Sequence, residues 1–235
     1  AVKPATAALL AGETARFEIE AGSAAWLTNS NIERSDTGKV IIRTTAKAMD
    51  TNRDDKNNHE IVYHPPVLAL GVGCERHCEP DELIKLATET LAENGLSAQS
   101  VACVASIDLK ADEAAVHALA DHLGVPARFY EAEAPRLANP SDIVFAETGC
   151  HGVAEGAALA TIGTNGTLIV SKQKLKRATC AIGLSIDDID PLQSGRPQGR
   201  LSIVGIGPGQ PGWRSPEASS LIARATDIVG YQMYL

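Results

Sequence analysis

The chain has no excess of positive charge, and that absence removes two classes of partner at once. Its 21 Lys and Arg are outnumbered by 29 Asp and Glu, for a formal net charge of −8 and an isoelectric point near 5.3. Nucleic-acid grooves and anionic membrane surfaces both need a basic face. Neither is expected as a partner, and an anionic small ligand would require a local basic patch. No apolar run approaches the length of a membrane span, and the N-terminus lacks the basic region and apolar stretch of a signal peptide. An even disulfide framework is missing too. The five cysteines, Cys74, Cys78, Cys103, Cys150 and Cys180, are odd in number and mostly lie in or beside strand-like runs. A reducing cytoplasm is the expected location. The first residue is Ala1 rather than Met, so the chain is expected to be a piece of something longer.

With 235 residues and 44% hydrophobic content, the chain can bury one substantial core or two smaller ones. Residues 1–64 carry a short helical run and strand-like stretches in ARFEIE and GKVIIRTT, then the charged loop DTNRDDKNNHE. They look like a small or incomplete α/β piece. Pro65-Pro66 marks a boundary, because proline continues neither a ladder nor a helix.

From Val67 the pattern is that of an α/β fold. VLALGVG reads as a buried strand and EPDELIKLATETLAEN as an amphipathic helix with acids in its first turn, followed by Gly95. VACVAS and ADEAAVHALADHLG repeat the pair, and ARFYEA and DIVFAETG are further strands. HGVAEGAALATI is a helix of small residues suited to tight packing. TLIVSK and LKRATCAIGL then form a hairpin. The expected fold is a mixed, mainly parallel sheet flanked by helices, spanning 65–186. Residues 187–200, with two prolines and two glycines, read as a linker. Residues 201–235 hold one βαβ unit, with strands at LSIVGIGPG and TDIVGY around a helix opened by Ser215-Pro216.

Three glycine-punctuated loops, GVGCERH, ASIDLKADE and ETGCHGVAEGAAL, each follow an apolar run and lead toward a helix. Glycine allows close approach of backbone N–H groups, and the first turn of a helix leaves its N–H groups unpaired at the positive end of the dipole. Together the loops would line one crevice for a polyanionic small molecule at the carboxyl ends of neighbouring strands. Gly71 and Gly73 either serve that crevice or only permit a turn. Arg76 suits bidentate carboxylate binding. Lys110 is a point charge facing the crevice or a solvated lysine, and Asp108 a ligand contact or a cap for local N–H groups. Glu155 is a general base or an acid that complements a helix start, with Glu147 as a second candidate base. The cluster Lys172, Lys174, Lys176 and Arg177 reads as a solvated hairpin face from which one member, Lys172, reaches the ligand. Cys74, His77 and Cys78, with Cys150-His151, fit zinc only loosely, and buried thiols are preferred; no metal is expected.

The blocks LGVGCER, SIDLKADE, GCHGVAEGAAL and LIVSKQKLKRATCAIG, in this order and spacing, resemble the C-terminal domain of cobalt-precorrin-5A hydrolase, an enzyme of corrin-ring synthesis, and its small relative of the aerobic route. The resemblance covers about half the chain and makes residues 1–64 the remainder of the hydrolase's middle domain. It departs after GVGC, where Glu75, Arg76, His77 and Cys78 stand in place of the family's basic residue followed by a small one. It implies hydrolysis of a ring lactone with release of acetaldehyde, a corrinoid intermediate as the ligand, and no cofactor for the hydrolase unit. Gly149 and Gly152 would supply N–H groups to an oxyanion. A non-catalytic tetrapyrrole carrier is the alternative, and a homodimer is left open. From Leu201 the chain is similar to the opening of precorrin-3B C-17-methyltransferase. That resemblance implies a bifunctional parent with an S-adenosylmethionine loop at Gly205, Gly207, Pro208 and Gly209.

Overall fold

Alternating apolar strands and amphipathic helices from Val67 onward assemble, in a computed structural model, a five-stranded mixed sheet. The structure describes residues 2–49, 59–131, 152–198, 201–207, 210–225 and 227–230. The chain divides into two units, Ala1–Gln198 and Gly199–Leu235.

In the first unit, α1 (Val2–Leu10), β1 (Ala15–Ile19), α2 (Ala25–Thr28), β2 (Val40–Thr44) and β3 (Glu60–Tyr63) form a small layer. Its three strands run parallel in the order β1-β2-β3 over a core of Ala5, Ala15, Leu27, Val40 and Ile42. The large sheet comprises β4 (Leu68–Cys74), β5 (Val101–Ile107), β6 (Ala127–Tyr130), β7 (Thr167–Lys174) and β8 (Ala178–Leu184) in the order β6-β5-β4-β8-β7. β4, β5 and β6 are mutually parallel, whereas β8 runs antiparallel to both β4 and β7. The expected hairpin is therefore present and makes half the sheet antiparallel.

Side-chain alternation along β4 separates two environments. Leu68, Leu70 and Val72 join the main core with Leu83, Leu86 and Leu91 of α3 (Pro80–Glu93) and Val116 and Leu119 of α4 (Ala114–Leu123). Pro80 at the start of α3, with Asp81 and Glu82 in its first turn, suits the positive end of the helix, and Gly95 just beyond it has φ 62°. Gly124 ends α4 in the left-handed region with φ 68°. The opposite face of β4 carries only Ala69, Gly71 and Gly73, and against it lies α5 (Val153–Ile162), itself built of small residues. A Cβ added at Gly71 would sit 1.9 Å from the Ala154 carbonyl oxygen and 2.7 Å from the Ala158 nitrogen. The helix backbone thus rests directly on the strand, as the run of tiny residues led one to expect.

Residues 187–198, read from composition as the body of a linker, are fastened to the first unit. Ile189 is buried with Ala69, Ala102 and Ile162. Arg128, only 5% exposed, donates to the Ser194 carbonyl at 2.6 Å and the Gly195 carbonyl at 2.8 Å. Phe129 and Arg196 exchange two 2.8 Å backbone bonds, covering the open edge of β6. Proline and glycine here serve a bent, pinned path.

The second unit differs from expectation. Its helix α6 (Pro216–Arg224) forms with the Ser215 hydroxyl accepting from the Ala218 N–H at 3.1 Å. Residues 201–207 and 227–230, however, are not strands. A strand needs a neighbour for its N–H and C=O groups, and no paired strand is formed among this unit's described residues. The expected strand DIVFAETG lies outside the described residues.

Candidate functional site

The carboxyl ends of β4 and β5, the amino end of β8 and the start of α5 converge at one end of the large sheet. After Cys74 the chain makes a tight turn through His77, whose φ of 57° is left-handed for a residue with a Cβ. Charged groups hold this turn. The Arg177 guanidinium donates through Nη2 to the carbonyls of Arg76 at 2.7 Å and His77 at 2.8 Å, while its Nε lies 3.4 Å from Glu75. The Arg177 backbone N–H donates to Glu82 at 2.6 Å. Beneath the turn, Glu113 accepts the His77 N–H at 3.1 Å.

Arg76, the proposed carboxylate binder, spends its guanidinium on the protein. Its Nη1 meets Asp112 at 2.5 Å and Glu113 at 3.1 Å, and Nη2 donates to the Leu109 carbonyl at 2.8 Å. The hydrogen bond from Arg76 holds the Asp112 carboxyl below the usual carboxylate range. Arg76 therefore ties the β4 loop to the β5 loop, with two carboxylates beside its charge. Arg177, expected on a solvated hairpin face, likewise turns inward because bare carbonyls of the left-handed turn lie within its reach. Asp108 accepts the N–H of Leu109 at 2.7 Å, the local capping role of its two alternatives. Lys110 is 17% exposed, with Nζ 3.9 Å from Glu113.

Beside the ends of β4 and β8, α5 begins at Gly152, and among the described residues no side chain caps it. The N–H groups of its first turn lack intrahelical acceptors and lie at the positive end of the helix. Glu155 sits in that turn, half-buried, one carboxylate oxygen accepting the Lys172 N–H at 2.9 Å. The Lys172 side chain crosses Gly152: a Cβ there would lie 3.2 Å from Cδ and 3.4 Å from Nζ. Gly73 is buried between Thr179 and Val153, its carbonyl accepting the Thr179 hydroxyl at 3.1 Å. Gly71 and Gly73 thus permit close packing, one under α5 and the other at its start, and both are buried.

The thiols are packed rather than displayed. Cys78, Cys103 and Cys180 are buried and Cys74 is half-buried; burial pushes the Cys74 thiol up to about 11 and the Cys103 thiol up to about 12. Among the described residues no group of three or more His, Cys, Asp and Glu is gathered for a metal ion. Glu147, Gly149, Cys150 and His151 lie outside the described residues, as do Pro208 and Gly209. Glu113 and Thr179 were not anticipated. Glu113 looks in sequence like any acid at a helix start, and only the fold reveals what lies above it.

Residues 68–183, the stretch that builds this site, match the family model of the cobalamin synthesis G C-terminus. Over 120 residues the chain is 52% identical to Protein CobE of a Sinorhizobium species, covering 49% of this chain and 78% of that protein. The chain belongs to the cobalamin synthesis G family. A cobalt-precorrin-5A hydrolase from Priestia megaterium is 30% identical over 199 residues, which are 78% of this chain and 53% of the hydrolase. The chain thus spans about half the length of that relative. A solved structure of the cobalamin biosynthesis protein chiG from Agrobacterium tumefaciens is 25% identical, with 52% of this chain and 100% of that chain covered at a TM-score of 0.45. The family match runs from the start of β4 to the end of β8, so both welded loops and α5 fall inside it. Among the described residues no helix is long and apolar enough to cross a membrane.

Proposed function

We propose that this member of the family acts in cobalamin biosynthesis as the corrinoid-handling part of a hydrolase that opens the ring lactone of cobalt-precorrin-5A and releases acetaldehyde. One observation carries the proposal. An uncapped helix start and the Lys172 ammonium lie together at Gly152, so two positive features converge where Glu155 supplies a carboxylate. Such a place favours a ligand carboxylate or a developing oxyanion. Corrinoid precursors carry acetate and propionate arms, and Lys110 across the crevice is a second cation for them.

Hydrolysis requires water to add to the lactone carbonyl. Glu155 takes the proton as the water attacks, and the N–H groups at the start of α5 receive the negative charge that forms on the carbonyl oxygen. Collapse breaks the acyl C–O bond, leaving a carboxylate and a hydroxyl. The hydroxyl then loses its proton and becomes the C=O of acetaldehyde as the C–C bond to the ring breaks, and the ring carbon takes the electron pair and a proton. Titration with cobalt-precorrin-5A, following the absorption spectrum and aldehyde together, tests this. Binding with aldehyde release in the wild type and release lowered about 100-fold in Glu155→Gln is expected. Full turnover by that variant would remove Glu155 from the mechanism.

The CobE relative favours a second reading. It consists mostly of the part shared with this chain, so the shared unit has a use without the other half of the hydrolase, and a tetrapyrrole carrier is the simplest such use. Binding without aldehyde release would select it. Residues 201–235 are proposed as the opening of a precorrin-3B C-17-methyltransferase in a bifunctional parent. Residues 201–207 pair with no strand, and a Cβ at Gly205 would meet nothing within 4 Å.

A further inference from the structure

Among the described residues Glu113 is the one carboxylate that is buried, with 4% exposure. A buried carboxylate is costly unless its oxygens are engaged, and the engagement here is uneven. Oε2 accepts the His77 N–H at 3.1 Å. Oε1 is buried and makes no hydrogen bond, yet it faces Arg76 Nη1 at 3.1 Å and Lys110 Nζ at 3.9 Å.

The geometry points to Glu113 as the positioning residue of the crevice: its carboxylate fixes Lys110 and the His77 turn in the arrangement that receives a carboxylate arm of the ligand. This rests on the corrinoid reading above. Lys110 lies three residues before Glu113, and its ammonium is too far from Oε1 to hydrogen-bond. Glu113 thus directs the ammonium by charge and leaves its N–H groups to donate elsewhere. Arg76 differs in that its charge is already shared with Asp112, Glu113 and the Leu109 carbonyl. The His77 turn depends on the same carboxylate, since it accepts the N–H of a residue whose left-handed backbone is unfavourable by itself. One acid therefore orders both loops at the strand ends.

The sign of one substitution separates positioning from bulk electrostatics. Glu113→Gln removes a negative charge beside a site for a polyanion, so charge alone predicts tighter binding. Positioning predicts weaker binding, by about tenfold, and little further loss when Lys110→Gln is already present, because the two act as one unit. Tighter binding of cobalt-precorrin-5A, or an undiminished loss on the Lys110→Gln background, overturns the inference. A second readout needs no ligand. Lysine acylation by an activated ester, quantified by mass spectrometry, should rise at least about threefold at Lys110 in Glu113→Gln, with Lys172 unchanged. Equal labelling of Lys110 in both proteins also overturns it. If the wild type binds no corrinoid, the functional reading fails while the labelling still judges the positioning. Glu113→Asp, which keeps the charge and shortens the reach, carries the same readings, with an intermediate effect, if Glu113→Gln does not fold.

Discussion

Gly71→Ala adds one methyl group to the chain and should be among its most damaging small substitutions. The new Cβ would lie 1.9 Å from the Ala154 carbonyl oxygen and 2.7 Å from the Ala158 nitrogen, both backbone atoms of α5. No side-chain rotation relieves such contacts, so the helix has to retreat by roughly 1 Å or more, a gap that forfeits a quarter to a half of the dispersion energy at each affected contact. Ala154, Ala157 and Ala158 are fully buried and Ile162 is nearly so, which means the whole inner face of α5 is affected. Overpacking of this kind costs about 1–3 kcal/mol, and the backbone nature of the clash places Gly71→Ala at about 3. Urea unfolding should therefore show a midpoint lower by roughly 1–3 M, for a slope of about 1–3 kcal/mol/M. Gly73→Ala is the internal control. Its added Cβ meets the Thr179 hydroxyl, which can rotate away, at 3.0 Å and the Val153 Cβ at 3.3 Å, a tight contact that needs a shift of only a few tenths of an ångström, so a loss of about 1 kcal/mol is expected. Equal midpoints for Gly71→Ala and wild type would refute the close helix-on-strand seat, and with it the position assigned to the start of α5.

Arg177→Met should loosen the turn at His77, since Arg177 supplies donors to two carbonyls there; a loss of about 1–2 kcal/mol after allowing for its partial exposure, with faster amide hydrogen exchange at residues 75–78, is the expected result. The thiols set a pH dependence. Burial raises the Cys74 thiol to about 11 and the Cys103 thiol to about 12, so the unfolded chain ionises first as pH rises. Their contribution is constant below the ordinary thiol range near 9 and is lost between there and about 11–12. Urea midpoints at pH 7, 9 and 10.5 should fall in that order, less steeply in Cys103→Ala, and a midpoint rising with pH would contradict the burial.

Local pattern was enough for most of the large sheet. The apolar run before Cys74, the acids opening α3 and the glycines after α3 and α4 act within a few residues of where they stand, and each element formed where that chemistry placed it. The tiny residues of α5 even announced its contact with the sheet. What could not be read was which charges meet. Arg76 finds Asp112 36 positions away, and Arg177 finds the Arg76 carbonyl across 101. Both were assigned from residue type to a ligand or to solvent, and both also hold groups of the protein far along the chain. Composition likewise misjudged residues 187–198: prolines and glycines suit a tether, but Arg128 with its two carbonyl acceptors makes them a strap. The unpaired stretch 201–207 shows the reverse, a strand-like sequence without a neighbour to complete it.

Arginine and lysine have divided the work in this acidic chain. Arg43 is surrounded by Glu18, Glu20 and Glu60, Arg76 by Asp112 and Glu113, and Arg177 by Glu75 and two carbonyls, so the planar fork is used where several acceptors must be held at fixed angles. Lys172, Lys174 and Lys176 make no ion pair among the described residues, and Lys110 has only the 3.9 Å approach to Glu113. A strongly hydrated ammonium on a flexible stem is poor at bracing a turn but able to follow a carboxylate arm. Arg76, expected from its residue type to hold the ligand's acids, is already paired here with Asp112 and Glu113. Arginines brace the loops at the strand ends, and on the proposed reading Lys110, Lys172 and the start of α5 are what the polyanion would meet.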